Sequence, residues 1–138
     1  MWNKVVCVMS NKKKKDYEYK ALFRYADVSP RKLRPFAAMI RGRVADEALE
    51  LLRFEPNKSA RLLEAVLKSA LGNAEDRGTR NLDYLVVTES RIDGGPILKR
   101  HMPRARGTAY PIKRRYSHIH ITLTDKDLKE TQQEETQE

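Results

Sequence analysis

The hydrophobic pattern changes period several times along the chain, and each change marks an element. Residues 1–18 have no clear period and read as an N-terminal extension, with a basic run from Lys12 to Lys15. From Tyr19 to Asp27 the sequence alternates, with Ala21, Phe23 and Tyr25 on one side and Lys20 and Arg24 among those on the other. A period of two predicts a half-buried strand. Ser29-Pro30 then reads as a helix start, because Ser is a good N-cap and Pro at the first position gives up an N–H that would be unpaired anyway. Leu33, Phe36, Ala37 and Ile40 follow at helical spacing, and Gly42 closes the segment. Pro35 conflicts with this helix, since it removes the bond to the Arg31 carbonyl.

A second helix is expected from Asp46, a candidate N-cap, with Ala48, Leu49, Leu51 and Leu52 as apolar positions and Phe54-Glu55-Pro56 as its end. The longest helix starts near Asn57. Ala60, Leu63, Val66, Leu67, Ala70, Leu71 and Ala74 form an i, i+3, i+4, i+7 stripe, Glu64 and Lys68 make a favourable i, i+4 pair, and Asp76 to Gly78 is a stop signal. Leu82 to Ile92 is rich in strand formers. A last strand carries Ile119, Ile121 and Leu123 on one face and His118, His120 and Thr122 on the other. Between these apolar anchors lies a basic stretch punctuated by Gly and Pro. It predicts a long antiparallel hairpin over about residues 91–115, turning near Met102 and reaching roughly 30 Å at ~3.3 Å per residue. A two-stranded ribbon is marginal in water, so an anionic environment is expected to order it. The segment 125–138 is acidic, lacks an apolar stripe and reads as a disordered tail. The fold class is therefore α+β: three helices packed on a small antiparallel three-stranded sheet with a long protruding β-hairpin. Residues 19–124 are expected to form one domain.

Composition adds the nature of the partner. The 138 residues hold 28 Lys plus Arg against 19 Asp plus Glu, a net charge of +9. The excess is uneven: residues 91–124 hold eight basic groups against the single Asp93. A basic arm that cannot build its own core is a footprint of nucleic-acid binding. No run approaches the ~20 apolar residues of a membrane span, and the N-terminus lacks a secretory cleavage pattern. The single Cys7 rules out an internal disulfide framework and a CxxC site. A cytoplasmic location follows.

A search for chemistry finds no catalytic constellation. His118 and His120 share a strand face, but spacing fixes no third metal ligand, and the nearby Arg and Lys would repel a cation. His101 suits stacking or hydrogen bonding better than base catalysis, and Cys7 has no supporting base. Gly94-Gly95-Pro96 lacks the helix and Lys-Ser/Thr of a phosphate loop. Asp46, Glu47 and Glu50 fit the negative first turn of a helix. No metal, cofactor or enzymatic activity is expected. Binding features are stronger. Arg31, Lys32 and Arg34 crowd a helix N-terminus, where positive charge is unfavourable by itself, and Arg41 and Arg43 follow. Lys99, Arg100, Arg104 and Arg106 flank the expected turn, and Lys113, Arg114 and Arg115 cluster beside Tyr110 and Tyr116. Successive residues on a strand face opposite ways, so the ribbon is expected to be positive on all sides. That suits insertion between several RNA segments better than docking in one duplex groove.

The motifs Ser29-Pro30-Arg31-Lys32-Leu33-Arg34, Ile40-Arg41-Gly42, Asp93-Gly94-Gly95-Pro96, Met102-Pro103-Arg104-Ala105-Arg106-Gly107 and Ser117-His118-Ile119 occur in unbroken order. With Ala48-Leu49 through Leu52, Ala70 to Glu75, Lys99-Arg100 and Arg114-Arg115, they span about residues 20–124. In these the chain resembles the bacterial large-subunit ribosomal protein twenty-two family. The resemblance implies a body on the outside of the large subunit and a hairpin running inward through ribosomal RNA to the peptide exit tunnel. It implies rRNA contacts through Ser29, Arg31, Lys32, Arg34, Arg41, Arg43, Lys99, Arg100, Arg104, Arg106, Lys113, Arg114, Arg115, Ser117 and His118. It also implies a tunnel-lining tip of Leu98, Lys99, Arg100, His101, Met102, Pro103, Arg104, Ala105 and Arg106, with macrolide-sensitivity determinants around Leu98 to Arg100. Partners implied are large-subunit rRNA, neighbouring ribosomal proteins and, transiently, the nascent polypeptide, with no membrane and no homo-oligomer. Thr108 stands where Arg is common in the family, Pro35 interrupts the first helix, and both extensions lie outside the resemblance. Met9 is a second possible start. Two other classes fit the residues less well. A free-standing DNA regulator needs a dimer patch or a base-reading helix, and an RNA-modifying enzyme needs a cofactor loop or an acid–base pair.

Overall fold

A computed structural model describes residues 18–79 and 82–125. The element order is β1 (Glu18–Ala26), α1 (Pro30–Ile40), α2 (Ala45–Phe54), α3 (Lys58–Asp76), a short 3₁₀ turn (Leu82–Tyr84), β2 (Leu85–Pro103), a second 3₁₀ turn (Ala105–Gly107) and β3 (Ala109–Asp125). The three strands are antiparallel in the order β1-β3-β2. This is the expected α+β architecture. The terminal segments 1–17 and 126–138, on which an extension and a tail were expected, lie outside the described residues.

The core follows from the two periodicities. Leu33, Ala37 and Ile40 of α1 are buried, as are Ala45, Ala48, Leu49 and Leu52 of α2. Every position of the expected α3 stripe is buried except Leu71, which is half-buried against the core. The strands supply the opposing layer in cross-strand rows. Tyr19, Leu123 and Val87 form one row, and Phe23, Ile119 and Ile92 another. Glu64 and Lys68 pair at 2.7 Å as expected, and Arg53 of α2 reaches the same carboxylate at 3.6 Å. These contacts, chiefly the hydrogen bond from Lys68, hold the Glu64 carboxyl below its ordinary pKa despite partial desolvation.

Five local expectations are corrected. Helix α2 begins at Ala45, not after Asp46, because Ala45 is fully buried and the Ala48 N–H already bonds the Val44 carbonyl at 2.9 Å. Asp46 and Glu47 then sit in the first turn, where carboxylates complement the helix dipole. In β1 the alternation fails after Phe23. Tyr25 takes a left-handed φ of 61°, the register to β3 shifts, Ala26 turns inward and Tyr25 is left 61% exposed. Leu82–Tyr84 is a 3₁₀ turn rather than the start of β2. Thr122, expected on the polar face, is buried there, because β3 is the central strand and Lys20 and Glu89 lie directly beside it on the two neighbours. Pro35 leaves α1 unbroken, since both it and Arg31 are exposed and water can serve the carbonyl left without a donor.

Both free edges of the sheet are covered where it belongs to the body. Asn73 and Arg77 of α3 donate to the carbonyls of Lys20 and Glu18 on β1, at 3.0 and 3.1 Å. On the β2 side, Gly42 N–H bonds the Val87 carbonyl and Val87 N–H bonds the Arg43 carbonyl, at 2.8 and 2.9 Å. Gly42 can make this turn because its φ of 81° is open to glycine.

Candidate nucleic-acid interface

Past the row Ala26–Ser117–Gly94, β1 stops and β2 and β3 continue alone as a two-stranded arm. Its root is a bulge in which Gly95 and Pro96 oppose the single Tyr116. Gly95 is required there, because a Cβ would lie 2.9 Å from the Tyr116 carbonyl carbon. Pairing then runs without a break from Ile97↔Arg115 to Pro103↔Ala109. The turn is therefore at Arg104–Thr108, two residues beyond the expected position near Met102. Arg106 and Gly107 both take left-handed φ, 59° and 68°, and Arg104 N–H closes the loop onto the Thr108 carbonyl at 2.8 Å. Thr108 itself donates its hydroxyl to the Ala105 carbonyl at 2.8 Å and so helps to close the tip.

Every residue from Ile97 to Arg115 is exposed. Residues directly opposite share a face. One face therefore carries Ile97, Lys99 and His101 against Arg115, Lys113 and Pro111; the other carries Leu98, Arg100 and Met102 against Arg114, Ile112 and Tyr110. Cations stand on both faces, as expected, but the second also presents four exposed apolar side chains, Leu98, Met102, Tyr110 and Ile112. Lys99 and Lys113 are cross-strand partners, a like-charge juxtaposition that is unfavourable by itself. From Gly94 to Arg115 the arm holds seven Lys and Arg and no acid.

On the body, Arg31, Lys32 and Arg34 are exposed on α1, with no acidic residue in its first turn. Ser29 caps this helix by position, but its side chain makes no capping hydrogen bond. Residues 21–124 match the family model described as ribosomal protein L22p/L17e. The chain belongs to that family. Relatives named large ribosomal subunit protein uL22 agree along most of its length. That of Rhodopirellula baltica is 46% identical over 112 residues, covering 78% of this chain and 94% of the relative. That of Desulforamulus reducens is 48% identical over 109 residues, covering 79% and 96%, and that of Geobacter sulfurreducens is 45% identical over 109 residues, covering 79% and 98%. The L22p/L17e family is structural, and its members are not enzymes.

Within this L22p/L17e chain, the expected RNA-contacting residues fall into two sets. The arm cations and Arg31, Lys32 and Arg34 project into solvent. Four others are engaged in the fold. Arg41 donates to the Ser90 carbonyl at 2.5 Å, and Arg43 bonds the Met39 carbonyl and the Glu47 carboxylate at 2.9 and 2.7 Å. His118 accepts the Tyr25 N–H on Nδ1 at 3.1 Å and meets the Tyr25 ring edge-on. Ser117 is fully buried and donates to the Val28 carbonyl at 2.8 Å, so its hydroxyl is committed to the fold and not offered to a ligand. His120 lies 3.3 Å from Asp93 on the outer sheet face. Burial, followed by the nearby Arg91 guanidinium, pulls its pKa below the ordinary histidine value, against the opposing pull of Asp93. No group of three or more potential metal ligands occurs among the described residues, and none of their helices is long and apolar enough to cross a membrane.

One part of the surface was not legible from sequence. The start of α3, with Asn57 and Lys58, comes against the start of α1 and against Lys113–Arg115 at the arm root, around a shared cleft. Lys58 stands alone in the sequence between Asn57 and Ser59, and only the fold brings it to the arm.

Proposed function

We propose that the chain is a structural constituent of the large ribosomal subunit, within the cytoplasmic ribosome, and that it binds large-subunit rRNA and supports subunit assembly. Residues 19–124 act as one domain, with the body seated at the subunit surface. The arm runs inward between RNA segments and its tip, Leu98 to Arg106, lines the peptide exit tunnel. There the nascent polypeptide passes it transiently. Neighbouring large-subunit proteins are further partners; membranes and homo-oligomers are not.

The observation that carries this reading is the arm itself. Seven cations without a counter-charge, two of them directly opposed as Lys99 and Lys113, make a ribbon that is electrostatically unfavourable alone and favourable within a polyanion. Cations on both faces fit RNA on more than one side. The exposed Leu98 and Met102 near the tip fit a surface that a polypeptide slides past. Family membership supports the subunit assignment.

The test is Arg104→Glu combined with Arg106→Glu. Both residues are exposed and neither touches the core, so the isolated body should fold normally by circular dichroism and thermal melting. Incorporation into large subunits should fall sharply in a sucrose gradient. Normal incorporation of the double variant would refute a role for the tip in RNA binding.

A further inference from the structure

Among the described residues two positions other than glycine take a left-handed φ, Tyr25 and Arg106. Arg106 lies in the turn of the arm, where such a φ helps to reverse the chain. Tyr25 lies inside β1, and a bulky side chain at positive φ is a strained arrangement that persists only when its surroundings impose it. The consequences reach the arm. The φ of 61° accompanies a register shift between Phe23 and Ala26, so that Ala26 turns inward to 1% exposure and pairs with Ser117. Ser117 pairs on its other side with Gly94, and this is the last three-stranded row before the arm departs.

The contacts of Tyr25 that favour this conformation are to His118. The shift leaves Tyr25 outside the register of β1 with β3, and its N–H donates instead to the imidazole Nδ1 of His118 at 3.1 Å. The phenol ring also meets the imidazole edge-on, with centroids 5.0 Å apart and planes at 82°. Nδ1 accepts only through its lone pair, so the imidazole in this bond is neutral with its proton on Nε2. A second proton turns the acceptor into a donor aimed at another N–H, and the bond is lost. His118 alternates with the core residue Ile119, which puts it on the outer face of the sheet. Charged and titratable groups surround it on all three strands. Arg24 and Asp27 lie next to Tyr25 and Ala26, Asp93 stands directly opposite on β2 with Arg91 two residues before it, and Tyr116 and His120 flank it along β3. Asp93 is already engaged by Arg91 at 3.2 Å and by His120 at 3.3 Å.

We propose that His118 is a proton-sensitive latch on the root of the arm: neutral, it holds Tyr25 in the left-handed conformation; protonated, it releases Tyr25 and loosens the row Ala26–Ser117–Gly94. His118 is thus a positioning residue that acts through Tyr25. Histidine is the side chain whose charge changes between about pH 5 and 8, so the arm root responds to acidification while the helices, held by their apolar stripes, do not. The inference does not rest on the rRNA-binding reading, and its test needs no RNA.

The test is an NMR titration of the full chain over the histidine range, about pH 8 to 5, in a His120→Gln background so that the neighbouring imidazole does not titrate. The amides of Tyr25, Ala26, Gly94 and Ser117 should move with one midpoint, that of the His118 ring. Their hydrogen-exchange protection should fall about 10-fold across it, as the loss of one hydrogen bond of ordinary net strength implies. His118→Asn places a carboxamide oxygen near the position of Nδ1, where it can accept the bond and takes no proton. This variant should keep the parent's protection at the upper end of the range and hold it at the lower end. His118→Leu should show low protection at both. Tyr25→Gly removes the strain, so adding it to His118→Leu should restore protection of Ala26 and Ser117, which a general loss of packing would not permit. Amides that ignore the His118 titration would overturn the latch. So would a His118→Asn chain that loses protection on acidification as the parent does, or parent-like protection in His118→Leu.

Discussion

Replacing Ser117 by alanine removes one oxygen from the point where arm and body join. Ser117 is fully buried, pairs with Ala26 on one side and Gly94 on the other, and donates its hydroxyl to the Val28 carbonyl at 2.8 Å. That bond ties the loop entering α1 to the last three-stranded row of the sheet. Alanine keeps the strand and its ladder but leaves the Val28 carbonyl without this donor in a place where Val28 is only 9% exposed. An orphaned buried acceptor costs about 1–3 kcal/mol, against a total of roughly 5–15 kcal/mol for a domain. With a urea m-value of about 1–3 kcal/mol per molar, the unfolding midpoint should fall by roughly 1 M with an unchanged slope. The folded variant should bind rRNA within about twofold of the parent, since the hydroxyl meets no solvent. An unchanged urea midpoint together with a tenfold loss of RNA affinity would refute this reasoning and return Ser117 to the RNA surface.

Two further outcomes are expected. Gly95→Ala drives a Cβ to 2.9 Å from backbone atoms of Tyr116 that have little room to move, at a cost of about 1–3 kcal/mol; because the arm has no core, hydrogen exchange should quicken in arm amides while α3 keeps its protection, and uniform loss across α3 would contradict that localisation. His120 has a lowered folded pKa, so the unfolded chain binds the proton more readily and stability is full above the ordinary value of 6.5 and is lost as pH falls through the folded pKa. Thermal melts between pH 7 and 5 should therefore fall more steeply for the parent than for His120→Gln, and parallel curves would show that His120 is not the group responsible; the separate contribution of Glu64 is lost only below about its ordinary 4.5.

How much of this was legible in the sequence depended on whether a residue's neighbours were local. The α3 stripe was readable because a helix buries one face and repeats it, so spacing alone names its core. β1 was readable to Phe23 and misread beyond it, since no spacing rule announces that Tyr25 will adopt a left-handed φ and reverse the alternation. Asp46 looked like a cap because its type is right; the burial of Ala45 and the bridge from Val44 to Val86 put the cap at Val44 and the helix start two residues earlier. The arm's charge was plain from composition, and its turn was misplaced only by the extra pairs at Met102 and Pro103. Arg41 and Ser117 resembled their exposed neighbours in type, yet each is engaged by a carbonyl far away in sequence, that of Ser90 or Val28. The cleft was hidden for the same reason, since Lys32, Lys58 and Lys113 share a surface only after folding.

The treatment of strand edges ties these features to function. Within the body, α3 side chains bond the edge of β1 at Lys20 and Glu18 and the loop at Gly42 and Arg43 pairs with Val87 of β2, so these parts of the two edges are withheld from another strand. Beyond Gly94 and Ser117 the arm loses both covers, leaving a long exposed ribbon with apolar side chains at Leu98, Met102, Tyr110 and Ile112. Such a ribbon would invite pairing with a second copy were it neutral. Its cations oppose that, because two arms meeting edge to edge would bring like charges together with no acid to offset them. The same charge makes the Lys99–Lys113 pairing unfavourable in the free chain and favours it among phosphates. One property thus opposes pairing between two arms and favours a polyanionic surrounding, while the apolar rows from Tyr19 to Ile92 hold the body together through a core of its own.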